Sequence, residues 1–96
     1  MINSKQRSYL RAMANNLGHI LQIGKYEIDN NVIEQVDVLL EARELIKISV
    51  LKNSSTGVRE ACSELCSATG ADPVQVIGNK FVIYRPSINK PTIILP

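Results

Sequence analysis

Apolar positions recur along this chain with two different periods, and the changes between them mark out its elements. Leu10, Met13 and Leu17 fall at i, i+3 and i+7, the spacing of one helical face. With Ser4 as N-cap and Gly18 as stop, they predict a first helix over roughly residues 5–16. Lys5, Arg7 and Arg11 lie off that stripe and are expected on the helix surface. Residues 19–23 read as a short apolar strand. Asp29 is placed to cap a second helix over roughly residues 30–43. Val32, Val36, Leu39 and Leu40 are expected inward there, and Glu34, Asp37, Glu41 and Glu44 outward.

From residue 45 the period drops to two. Ile46, Ile48 and Val50 alternate with Lys47, Ser49 and Leu51, a strand pattern over residues 45–51. Ser55 or Thr56 is the expected cap of a third helix. That helix buries Ala61, Leu65 and Ala68, runs to about Thr69 and ends at Gly70. Asp72-Pro73 returns the chain to an extended state. Two apolar strands, residues 74–77 and 81–84, are split by Gly78-Asn79-Lys80, which favours a hairpin. Residues 86–96, with Pro91 and Pro96, are expected to be loose or docked as an edge strand.

The order α-β-α-β-α-β-β predicts an α/β fold of the α+β sandwich-like kind: one mixed four-stranded sheet with helices packed on it. Successive strand–helix–strand units imply parallel pairing with right-handed crossovers, and the hairpin adds an antiparallel strand. No repeat or linker divides residues 1–96, so one domain is expected.

An apolar fraction of 45% and a charged fraction of 21% suit an ordinary globular chain. No apolar run approaches the ~20 residues of a membrane span. The first residues lack the apolar stretch of a secretory signal. A cytoplasmic monomer with no membrane partner is therefore expected.

Charge changes the picture more. Residues 1–26 carry +4 with no acid, residues 27–72 carry −5, and residues 73–96 carry +3 with no acid. If the two ends of the chain meet on one side, a basic face opposes an acidic one, which suits a polyanion partner.

Candidate chemistry is sparse. Gly24-Lys25-Tyr26-Glu27 follows a strand and precedes a helix. A glycine lets a ligand approach the backbone, and the adjacent lysine favours an anion. His19 is the sole histidine and has no nearby base or nucleophile in sequence. Cys62 and Cys66 are neighbours on a predicted helix face and read as small core or boundary residues. A metal site would need further ligands, and no cofactor loop is evident. No enzyme, metal or cofactor is expected. With only Tyr9, Tyr26, Phe81 and Tyr84 as aromatics, a stacking platform on the sheet surface is excluded. Binding should rest on phosphate contacts and shape.

Several stretches carry a family resemblance: Ser4-Lys5-Gln6-Arg7, Gln22-Ile23-Gly24-Lys25, the run from Leu40 through Glu44 to Leu51, Val74-Gln75-Val76-Ile77-Gly78-Asn79, Val82-Ile83-Tyr84-Arg85, and the ending from Asn89-Lys90 to Leu95-Pro96. In these, in order over nearly its whole length, the chain resembles the stand-alone bacterial CRM-domain proteins, the YhbY-like family. The resemblance implies a fold similar to the C-terminal domain of translation initiation factor three. It also implies RNA binding and association with the precursor of the large ribosomal subunit, whose assembly such a protein would assist through rRNA phosphate contacts.

The family's GxxG loop, compared with that of KH domains, falls on Gly24 to Glu27; Glu27 replaces the second glycine, and Tyr26 takes a position that is often small. Either the loop binds RNA more weakly here, or Glu27 turns away and leaves Tyr26 to stack on a base. The expected RNA-binding residues are Gly24, Lys25, Tyr26, Lys5, Arg7, Arg11, Lys80 and Arg85. Ribosomal proteins are further expected partners. The alternative is a protein-interaction module that docks a ribosomal protein or an assembly GTPase through its acidic helix or its C-terminal tail.

Overall fold

A computed structural model describes residues 1–24, 28–52, 54 and 56–96. Helix α1 (Ser4–Ala14) starts one residue earlier than expected. Its cap is Asn3, whose side chain accepts the Gln6 N–H at 2.8 Å, while Gln6 Oε1 accepts the Asn3 N–H at 3.1 Å. This reciprocal box satisfies two otherwise orphaned donors and outcompetes Ser4. The helix also stops early, at Ala14. Leu10 and Ala14 are buried with Ile2, whereas Met13 and Leu17 are 36% and 38% exposed. The inward stripe is thus rotated from the expected one: once the helix ends at Ala14, Leu17 no longer shares its face.

Strand β1 (Leu21–Ile23) leads to α2 (Asn30–Arg43), which Asp29 caps by accepting the Val32 N–H at 3.0 Å. Val36 and Leu40 are fully buried, with Val32 and Leu39 packed beside them, as the helical spacing requires. One residue, Glu44, joins α2 to β2 (Leu45–Val50). Helix α3 (Val58–Thr69) starts from Gly57 rather than Thr56, and the other expected cap, Ser55, lies outside the described residues. Its inner face is Ala61, Cys62, Leu65 and Thr69; Ala68 points to solvent. Gly70 takes a left-handed φ of 75° and closes the helix. Strands β3 (Asp72–Ile77) and β4 (Lys80–Tyr84) then form a hairpin whose two-residue loop has Gly78 at φ 59°.

The sheet order is β1-β2-β4-β3. β1 and β2 are parallel neighbours. β2 and β3 also run the same way, but β4 lies between them, antiparallel to both. The second strand–helix–strand unit therefore does not make adjacent parallel strands, because the hairpin folds β4 back into the gap.

Both faces of the sheet are covered. Ile46, Ile48, Val50, Phe81 and Ile83 pack with residues of α2 and α3. On the other face Leu45, Val82 and Tyr84 pack with Ile2, Leu10 and Ala14, and with Ile93 and Leu95 of the tail. Lys47 lies on this second face, where it donates to the carbonyls of Ala14 and Leu17 at 2.9 and 2.8 Å. The tail is docked, but not as a strand. It is held by two carboxylates of α2's last turn and its cap. Glu44 accepts from the N–H groups of Ser87, Thr92 and Ile93 and from the Thr92 hydroxyl, and Glu41 from the N–H groups of Ile88 and Asn89 and the Ser87 hydroxyl. Glu44, expected outward, is 1% exposed.

Candidate nucleic-acid interface

The C-terminal ends of β1 and β2 and the start of β4 share one end of the sheet. Gln22, Ser49 and Lys80 form a row across these three strands. Gln22 and Lys80 thus stand about 10 Å apart, two strand spacings. Gly24 follows directly after β1, beside Leu51, whose N–H reaches the Ile23 carbonyl at 2.9 Å. The Gly78-Asn79 turn is fixed at the same end: Asn79 Nδ2 donates to the Val50 carbonyl at 3.1 Å, and the Asn79 carbonyl accepts the Val50 N–H at 2.8 Å. A shallow cleft of about 210 Å³ opens here, lined by Lys52, Ser54, Gly57, Gly78 and Asn79 among others.

Gly24 is not a glycine that the fold demands. Its φ is not in the left-handed region, and among the described residues an added Cβ would meet only a Leu51 methyl at 4.0 Å. Lys25, Tyr26 and Glu27 lie outside the described residues.

The remaining expected cations are dispersed. Lys5, Arg7 and Arg11 ride on α1, over the second sheet face. Lys5 and Arg11 are exposed, and Arg7 donates through Nε to the Pro73 carbonyl at 3.1 Å. Arg85 sits at the opposite end of β4 from Lys80. Its guanidinium is committed within the fold, to the Asp37 carboxylate and to the carbonyls of Thr69 and Asp37. Its signal in the sequence, a cation just beyond a strand, carried no information about Asp37, 48 residues away.

Sequence reasoning passed over two cations that the fold brings to these surfaces. Lys52 joins the cleft at the Gly24 end. Arg59, at the start of α3, reaches the outer edge of β3. Neither lies in a motif; only the pairing of distant strands places them.

The two ends of the chain meet, the condition on which a basic face depended. Gln6 Nε2 reaches the Pro96 carbonyl at 3.3 Å, and the tail and α1 cover the same sheet face. The opposite layer carries the acids of α2. Asp37 and Glu41 are engaged by Arg85 and the tail, while Glu34 stays exposed on the rim of an apolar groove between β1 and α2. That groove is ill-suited to a polyanion. Cys66 is half-buried, and its thiol is pushed up by its hydrogen bond with Cys62 and by burial, which suits neither nucleophile nor metal ligand. Among the described residues no helix is long and apolar enough to cross a membrane.

Comparison with known proteins places the chain. Residues 2–85 match the model of the CRS1 / YhbY (CRM) domain. The Bacillus subtilis protein named "Probable RNA-binding protein YqeI" is 40% identical over 96 residues, the full length of both chains. A Haemophilus influenzae protein named "RNA-binding protein" is 28% identical over 86 residues, 90% of this chain and 87% of that one. The solution structure of the hypothetical protein SAV1595 from Staphylococcus aureus is 47% identical, covers 100% of both chains and superimposes with a TM-score of 0.83. That structure shares the mixed four-stranded sheet and its three helices. With the family model spanning all seven elements, this chain belongs to the CRS1 / YhbY (CRM) domain family.

Proposed function

We propose that this protein binds RNA through phosphate contacts at the Gly24 end of the sheet, and that the RNA is rRNA of the precursor large ribosomal subunit. The observation that carries the RNA reading is Gly24 itself. Neither its φ nor its described neighbours require a glycine. A residue without a side chain, flanked by Lys52 and Lys80 at the same sheet end, leaves room for a close anionic ligand from outside. The relatives' names point the same way. Among the described residues at this end no set of groups supports catalysis. Lys25 and Tyr26 complete the proposed contact from the sequence, with Lys5, Arg7 and Arg11 as outlying cations.

The protein-module reading loses ground on geometry. Asp37, Glu41 and Glu44 are engaged within the fold, and Ile93 and Leu95 pack against the second core cluster.

Gly24→Ala tests the contact. Stability should stay within about 0.5 kcal/mol of the parent's, as for a surface change without strain, while affinity for a structured rRNA fragment falls. Unchanged affinity would remove the contact from Gly24. The assembly role rests on the family resemblance and on the chemistry of a factor that must bind and then leave; charge-dominated contacts are displaced more readily than an apolar interface. In sucrose gradients the protein should sediment with precursor large subunits. Finding it only in free fractions, or mainly with polysomes, would end that part of the proposal.

A further inference from the structure

We propose a second RNA-backbone contact along the outer edge of β3, in which Arg7 and Arg11 of α1 and Arg59 of α3 hold phosphates. It rests on the RNA reading above and extends it to a surface that the Gly24 loop does not touch.

A groove of about 230 Å³ runs over this edge, lined by Arg7, Arg59, Pro73, Val74, Gln75 and Val76. Arg7 comes from one face of the sheet and Arg59 from the other. A second depression, of about 300 Å³, adjoins it through the shared Gln75 and brings in Arg11, Ser8 and Asn15. No carboxylate lines either. Three guanidinium groups drawn to one edge repel one another, and no carboxylate lining either depression offsets that repulsion, so their arrangement suits an anionic occupant.

Their donors remain available. Arg7 spends only Nε on the Pro73 carbonyl, and Arg11 spends one Nη on the Ser8 hydroxyl. Among the described residues Arg59 makes no hydrogen bond or ion pair. Each guanidinium has five N–H donors in a planar fork that matches phosphate.

An edge strand could instead accept an extended acidic peptide as a further strand. The local chemistry opposes that. Pro73 has no N–H, the β3–β4 register shifts between Pro73 and Gln75, and Arg7 already occupies the Pro73 carbonyl. A proline and a bulge are ways an edge is closed to pairing. Phosphates need the cations alone and are indifferent to the ladder. The edge also leads to the first contact: β3 ends at Ile77, which pairs with Lys80. Six strand residues at about 3.4 Å each make a track of roughly 20 Å, long enough for several phosphates of one RNA.

Arg59→Gln is the clean variant, because that side chain is exposed and makes no hydrogen bond or ion pair among the described residues. Binding of a structured rRNA fragment is followed by fluorescence anisotropy from about 50 to 200 mM salt, with thermal midpoints measured in parallel. The expected result is weaker binding, a log K against log salt slope shallower by about one, and an unchanged midpoint. If the parent protein binds RNA and Arg59→Gln matches it in affinity and slope, the edge contact is overturned and the RNA reading stands. If Arg59→Gln loses affinity only for a polyglutamate peptide, the edge is a peptide site and the proposal is likewise overturned. If the parent protein binds no RNA, both readings fall.

Discussion

At the residue scale, Glu44 is where the chain departs furthest from its local pattern. Helical spacing assigns it to the solvent side of α2, and instead it is 1% exposed. Its φ of 68° is left-handed, which costs a residue with a Cβ on the order of 1–3 kcal/mol. The sharp turn it makes takes the chain from helix to strand in a single step. Four donors from residues 87–93 converge on its carboxylate and hold it there. None of this was legible, because the donors lie more than 40 residues downstream and are mostly backbone N–H groups, which leave no mark in a sequence.

Burial acts to raise the Glu44 pKa, but the hydrogen bonds from Ser87, Thr92 and Ile93 outweigh it and hold the group at about 2, against an ordinary 4.5. A folded-state pKa below the unfolded one gives stability that is fully present above pH 4.5 and lost as pH falls to about 2. Glu44→Gln removes acceptor capacity and leaves buried donors unmatched, so it should lower stability at neutral pH by about 2 kcal/mol. Thermal unfolding of both proteins at pH 7 and in acid checks this. The gap between them should narrow as pH falls through that window. Equal midpoints at pH 7, or a gap that persists undiminished in acid, would mean that the carboxylate does not hold the tail.

At the element scale, existence and type were legible and spatial order was not. Asp29, the apolar spacing of α2, Gly70 and the Gly78-Asn79 turn each act through neighbours within a few residues, and each does what its chemistry requires. Helix α1 shows the limit of that reasoning. Its period was visible, but the Asn3–Gln6 box and the early stop at Ala14 rotated the buried face to Leu10 and Ala14. An apolar pattern also says which faces are buried, not which strands are neighbours, so the insertion of β4 between β2 and β3 lay beyond it. Lys47 was ambiguous for a related reason: off the apolar side of its strand, it could be solvated, paired or covered by a helix. A lysine on a strand normally marks a solvated face, yet this one spans under α1 to reach two carbonyls at the helix end. The tail lacks any period; its docking depends on two carboxylates placed by α2.

Over the whole molecule, the uneven distribution of charge was legible from the sequence, and the fold brings the two ends of the chain onto one sheet face while drawing Arg85 to Asp37 of the opposite layer. What the sequence could not separate was free cations from committed ones. Arg85 and Lys47 serve the fold, while Lys52 and Arg59, which belong to the middle segment with its excess of acids, reach the candidate surfaces. The candidate site was thus legible at Gly24, through its setting after a strand, and illegible wherever it depends on long-range pairing.

The central claim is that this fold holds RNA by its phosphates. The most direct measurement is the affinity for a structured rRNA fragment as a function of salt. With about five basic side chains on phosphate, log K should fall against log salt with a slope of roughly −3.5 to −4.5. A flat response, with binding unchanged from low to high salt, would contradict the account.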